Sequence, residues 1–143
     1  MFHYNYENND PFNIAKERNT KNADRNEYNC AGYALGCYSW YCPFSYQVTD
    51  FEKNVKQILK DFPNVRRIES SQDLLPNEYM IAFRLSPDDF HFMKRAKNGI
   101  WREKRGRQSE IRIVPKSVVF GEVWSPHRYD LGYRGEIAFF AVK

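Results

Sequence analysis

The sequence predicts a single α+β domain in which helices come first and an antiparallel sheet follows, and three observations carry that reading. Phe51, Val55, Ile58, Leu59 and Phe62 recur at helical spacing, while Glu52, Lys53, Lys56, Gln57, Lys60 and Asp61 take the opposite face. Downstream the period changes to short β-branched and aromatic runs at 65–69, 79–85, 90–94, 100–104 and 136–142, each bounded by turn residues. Between the third and fourth of these runs stands Asn98-Gly99, whose residues tolerate the positive φ of a tight primed hairpin turn.

A chain of 143 residues has room for one core, and no repeat or linker divides it, so residues 1–143 read as one unit. Residues 1–22 carry Asn8-Asn9-Asp10-Pro11 and scattered charge without a sustained period, which predicts an irregular arm with one helical turn near Ile14 to Arg18. From Cys30 to Trp40 small and aromatic residues predict a buried helix. Gly32 and Gly36 permit close approach there, and Cys42-Pro43 ends it. Thr49 or Asp50 caps the next helix and Pro63 stops it. Pro115, Pro126 and the stretch from Gly132 to Gly135 mark a longer connection before the last strand.

Cys30, Cys37 and Cys42 are an odd set, which excludes a full disulfide framework and makes free thiols the default. Their Cys-x6-Cys-x4-Cys spacing matches no usual zinc pattern, so neither a metal nor another cofactor is expected. No basic segment followed by an apolar run opens the chain, and no apolar run is long enough to cross a bilayer. The expectation is a cytoplasmic protein that engages no membrane.

Chemistry enters with Cys30 and His91. A cysteine opening a helix faces unpaired backbone N–H groups, which favour the thiolate. A histidine in a later strand can be brought beside it and hold the pair as ions, the minimum equipment of a thiol hydrolase. Each residue has a plainer reading: an isolated cysteine is commonly a small buried hydrophobe, and a histidine among Phe90, Phe92 and Met93 is often a satisfied core residue. Their joint occurrence is what favours chemistry. His127 is the rival base, whereas Cys37 and Cys42 read as packing residues. For an oxyanion hole, the backbone N–H of Cys30 is the natural first donor, with Asn26, Tyr28 or Asn29 as the second.

Asn29-Cys30-Ala31-Gly32-Tyr33-Ala34-Leu35 and Asp89-Phe90-His91-Phe92-Met93-Lys94-Arg95, the latter running on through Asn98 to Lys104, resemble papain-like cysteine hydrolases of the NlpC and CHAP type, small phage and bacterial members in particular. The resemblance covers about a third of the chain. It implies a papain-like α+β fold with a Cys-bearing central helix packed on an antiparallel sheet. It further implies Cys30 as nucleophile, His91 as general base and Glu103 as the group that orients the imidazole. The reaction class is then cleavage of an amide or isopeptide bond through an acyl-enzyme, on a peptide or peptidoglycan-like substrate; an acyltransferase would share the intermediate and differ in the acceptor. The setting implied is the interior of a phage-infected or bacterial cell, or delivery by another machine.

A rival from another class rests on charge. The chain carries a formal +4, and Lys94, Arg95, Arg102, Lys104, Arg105 and Arg107 crowd the hairpin with Glu103 the one acid among them. A non-catalytic protein could use the 94–107 hairpin to engage an acidic host protein or a nucleic acid, the nucleic acid being less favoured than a solvated hairpin tip.

Overall fold

A computed structural model describes residues 27–44, 49–105, 111–127 and 131–143. The predicted arm with its helical turn lies outside these residues, as do Asn26 and Arg107. Six strands form one antiparallel sheet: β1 (Val65–Ile68), β2 (Tyr79–Leu85), β3 (Phe90–Arg95), β4 (Trp101–Lys104), β5 (Ile111–Val114) and β6 (Ile137–Val142), in the order β1-β6-β2-β3-β4-β5. The helices are α1 (Cys30–Leu35), α2 (Phe51–Asp61) and α3 (Lys116–Val119).

This corrects the expected architecture. A papain-like α+β fold built on a central Cys-bearing helix is contradicted: the sheet dominates, the helix that begins at Cys30 is 6 residues long, and the 11-residue α2 is the longest described helix. The reason is local. Gly36 adopts a left-handed conformation (φ 76°) and ends α1 five residues short of Trp40. The chain then reverses, and the Tyr38 N–H donates to the Gly32 carbonyl at 3.0 Å. Residues 37–44 run back over the helix as a strap, so close that a Cβ on Gly32 would lie 2.0 Å from the Ser39 carbonyl oxygen.

Alternation along the strands sorts the core into two layers. Val65, Ile81, Phe83, Phe90, Phe92, Ala138 and Phe140 face α1 and α2, where Phe83 and Phe92 sit as a cross-strand pair with ring centroids 4.9 Å apart. Met80, Ala82, Met93, Trp101, Val114 and Ala141 face the other way, onto α3 and the connection carrying Trp124 and Tyr133. Asp50 caps α2 by accepting from the Lys53 N–H (3.1 Å), and the buried Val55 and Ile58 each contribute roughly 1.5–3 kcal/mol by leaving water.

The β3–β4 hairpin follows the glycine, with a different turn from the one its dipeptide predicts. Gly99 alone has positive φ (87°); the Gly99 N–H donates to the Ala96 carbonyl (2.9 Å) and the Ala96 N–H to the Ile100 carbonyl (2.8 Å). The loop is therefore three residues long, ending in a left-handed glycine, and it sets the register Lys94↔Arg102 and Arg95↔Trp101. Pairing between β3 and β4 is confined to those two pairs, whereas β4 and β5 share four. The helix α1 packs against both β3 and β4.

Candidate active site

Asn29 fixes the start of α1. Its Oδ1 accepts from the Gly32 N–H (3.0 Å) as an N-cap and from the Tyr41 N–H (3.4 Å), while its Nδ2 donates to the Tyr41 carbonyl (2.8 Å). One side chain thus starts the helix and pins the strap across it. A second tie comes from Tyr41, whose hydroxyl donates to Asp61 at the end of α2 (2.6 Å); burial and that carboxylate push the phenol above its ordinary range. The cap uses the Gly32 N–H, and the Tyr33 N–H goes to the Asn29 carbonyl, so the first-turn N–H groups of Cys30 and Ala31 are left without a helical partner.

Cys30 is the first helical residue, and its sulfur is hydrogen-bonded to the imidazole of His91. On the far side of the ring, Nε2 lies 2.8 Å from Glu103 Oε1, which leaves Nδ1 to face the sulfur. The structure therefore brings Cys30, His91 and Glu103 into one line. His91 is 2 % exposed and Glu103 is fully buried. Burial alone would lower the pKa of the imidazole; its hydrogen bond and charge interaction with Cys30, and then those with Glu103, outweigh it and hold the ring's pKa up to about 10. The edge of Trp124 and the ring of Tyr133 pack on the imidazole, with centroids 6.2 and 5.8 Å away, and restrict its rotation.

The sulfur is not sealed in. Cys30 and His91 line a cavity of about 290 Å³ together with Asn29, Trp40, Tyr41, Cys42, Asp89, Phe90, His127 and Tyr133. The strap supplies one wall and the start of β3 another; His127 and Tyr133 line the remainder. His127, the rival base, thus lies on the same cavity as His91. Cys42 stands exposed at this cavity, where burial and then nearby Asp89 push its thiol pKa up against the pull of a backbone hydrogen bond with Phe44, so it is the poorer nucleophile at neutral pH. Cys37 is exposed beside Ser39, away from the lining.

The proposed second oxyanion donors separate by position. Tyr28 is buried with Tyr33 and Ile111 in a cluster of its own and does not line the cavity, whereas Asn29 lines it and is held by the cap and strap. The basic residues of the hairpin do not form one open surface. Arg102 and Lys104 are buried, Lys104 with its ammonium 5.1 Å from the Tyr28 ring, and Lys94 lies over the rings of Tyr33 and Tyr79 at 4.8 and 4.9 Å. Arg105 donates to the Pro126 carbonyl (2.8 Å), and Arg95 stays half-buried near the turn, 3.4 Å from where a Gly99 Cβ would stand. Alternation explains this: β4 is covered on both faces, so its cations find aromatic rings and carbonyls in place of water.

The cavity walls are what sequence reasoning missed. Trp40 falls at the end of the stretch read as helix and Tyr41 just beyond it, and Tyr133 lies in the connection before the last strand. Gly36 was the available signal, since a glycine after a short apolar helix marks a left-handed stop.

No curated protein and no solved structure matches the chain. One family model does, over residues 19–123, a span that holds Cys30, His91 and Glu103 and ends before His127 and Tyr133. That match takes in well over half of the chain, which therefore belongs to the family described as a domain of unknown function, DUF7689.

Proposed function

We propose that the chain is a cysteine hydrolase that cleaves an amide or isopeptide bond, with Cys30 as nucleophile, His91 as proton carrier and Glu103 as the group that fixes the ring. The observation that carries the reading is the buried line of sulfur, imidazole and carboxylate ending on a cavity. The proposal rests on those groups and owes nothing to a papain-like architecture. In it the Cys30 sulfur attacks the carbonyl carbon, and the oxygen takes the electron pair while the first-turn N–H groups of α1 stabilise it. Nδ1 of the imidazolium gives its proton to the departing amine, and the carbon–nitrogen bond breaks to leave a thioester. Water then attacks the thioester, passes a proton to Nδ1, and the carbon–sulfur bond breaks to restore the ion pair.

Glu103 keeps Nε2 protonated and holds the ring in the orientation that presents Nδ1 to the sulfur. A buried histidine with a carboxylate alone would be a structural pair; contact with a nucleophile at a cavity wall is what separates this one from that reading. The test is incubation with mixtures of peptide amides and peptidoglycan-derived peptides, read by mass spectrometry. Cleavage that disappears in Cys30→Ala is expected, and cleavage that survives it would overturn the assignment. At limiting iodoacetamide, Cys30 should be alkylated ahead of Cys37 and Cys42 despite being the most buried of the three.

A further inference from the structure

The charge and the walls of this cavity point to a class of substrate, an inference that rests on the hydrolase reading and deepens it. In its ion-pair form the site holds a negative sulfur, a positive imidazole and the negative Glu103, a net charge of about minus one. Asp89 adds a second negative charge at the cavity, and among the described residues that line it there is neither lysine nor arginine. This is an acidic site in a chain whose formal charge is +4. The carboxylate of Asp89 is held in place: Oδ1 accepts from the Phe90 N–H (2.8 Å) and Oδ2 from the Tyr133 hydroxyl (3.3 Å). It stays solvent-accessible while doing so, and its charge reaches the neighbouring Cys42 thiol. Trp40, Tyr41, Phe90 and Tyr133 line the same cavity. Aromatic rings that share a cavity with a fixed carboxylate are surroundings that suit an alkylammonium or guanidinium, which gains from the ring quadrupoles and from the anion together.

We propose that Asp89 is a specificity-determining residue and that the substrate carries a cationic amine or guanidinium close to the bond cleaved. Neutral and acidic acyl groups are then the poorer substrates, because they leave Asp89 facing an unpaired or like charge.

Two thiol reagents of equal size and opposite charge, aminoethyl and sulfonatoethyl methanethiosulfonate, test this on the full chain without a known substrate. In a Cys37→Ser/Cys42→Ser background, where Cys30 is the one remaining thiol, the cation should react faster than the anion at low salt. Asp89→Asn keeps the hydrogen-bond acceptor for the Phe90 N–H and removes the charge, and should lower the cation-to-anion rate ratio by roughly tenfold, about threefold from each reagent for a unit charge some 6 Å away in water. Asp88→Asn removes a neighbouring charge outside the lining and should change the ratio little; raising ionic strength should compress the wild-type ratio toward that of Asp89→Asn. A ratio equal in Asp89→Asn and Asp88→Asn would overturn the substrate class while leaving the nucleophile intact. If Cys30 reacts no faster with either reagent than it does in the urea-unfolded chain, the hydrolase reading itself is overturned, and the substrate class falls with it.

Discussion

Two carboxylates in this chain are held by a cation at almost the same distance, and they do different jobs. Glu78 meets Arg66 at 2.7 Å on the surface; Glu103 meets His91 at 2.8 Å in the interior. Arg66 also donates to the Asp73 carbonyl, and Glu78 Oε1 accepts from the Leu75 N–H, so the outer pair fastens the 69–78 loop to β1. Its cation has no proton to give at ordinary pH. The inner pair has a cation that titrates, touches a nucleophile and borders a cavity. Distance alone does not separate a structural pair from a catalytic one. What separates them is burial, a group that can exchange a proton, and a third partner able to react.

The sharpest way to break this contrast is at the inner site. Cys30→Ala should reduce hydrolysis by at least about 10⁴-fold, since a triad without its nucleophile retains little beyond binding and oxyanion stabilisation. Turnover assays, with circular dichroism to confirm folding, check this. Glu103→Gln should cost less, roughly a hundredfold or more, through loss of ring orientation, and should lower the pH at which His91 gives up its proton. Unchanged turnover would reduce Glu103 to simple charge compensation.

Gly32→Ala comes next. The new methyl meets the Ser39 backbone at 2.0 Å, so the strap must move. A loss of about 1–3 kcal/mol is expected from that overpacking, read by urea denaturation. Alkylation of Cys30 should change as well, because Trp40, Tyr41 and Cys42 wall its cavity.

Titration sets the two pairs at opposite ends of the pH scale. The folded His91 ring holds its proton up to about pH 10, whereas an unfolded ring releases it near 6.5. Because the ion pair forms by moving the Cys30 proton onto the ring, the native state binds more protons only above the ordinary thiol pKa of about 8.5, so this contribution to stability is lost as pH rises from there toward 10. For Glu78 the Arg66 guanidinium lowers the carboxyl pKa from 4.5 to about 2, so its contribution is present above 4.5 and is lost as pH falls toward 2. Arg66→Ala should therefore soften the acid limb of a stability profile slightly, by an amount that salt erases, and leave the alkaline limb and Cys30 reactivity untouched. His91→Ala should flatten the alkaline limb. An Arg66→Ala variant that moves both limbs would dissolve the distinction between the pairs.

Much of the fold was legible because its signals are local. The 51–62 periodicity gives α2 to within a residue, and the runs at 79–85 and 136–142 give β2 and β6 almost to their ends. Asn98-Gly99 marks the hairpin that seats Glu103 beside His91, although the loop takes three residues, with glycine alone in the left-handed region. The strand at Ile111–Val114 went unread even though Ile111-Arg112-Ile113-Val114 carries β-branched alternation just ahead of Pro115.

The helix at Cys30 was overextended because residues 31–40 keep a small and aromatic composition through Gly36. What ends it is a left-handed backbone at Gly36, which the glycine signals, followed by a reversal at Tyr38, which composition does not encode. That one reversal carries Trp40, Tyr41 and Cys42 to the cavity, so its walls were invisible while its reacting groups were not. Burial of the hairpin cations was likewise unreadable, since it depends on Tyr28, Tyr33 and Tyr79 arriving from other parts of the chain.

The most direct test of the central claim is the NMR titration of the His91 ring nitrogens in the wild-type protein and in Cys30→Ala. The account predicts a ring that stays protonated to about pH 10 in the wild type and releases its proton at distinctly lower pH once the sulfur is removed. A ring that titrates near 6.5 in both proteins would show that sulfur and imidazole do not share a proton, and the catalytic assignment would not survive it.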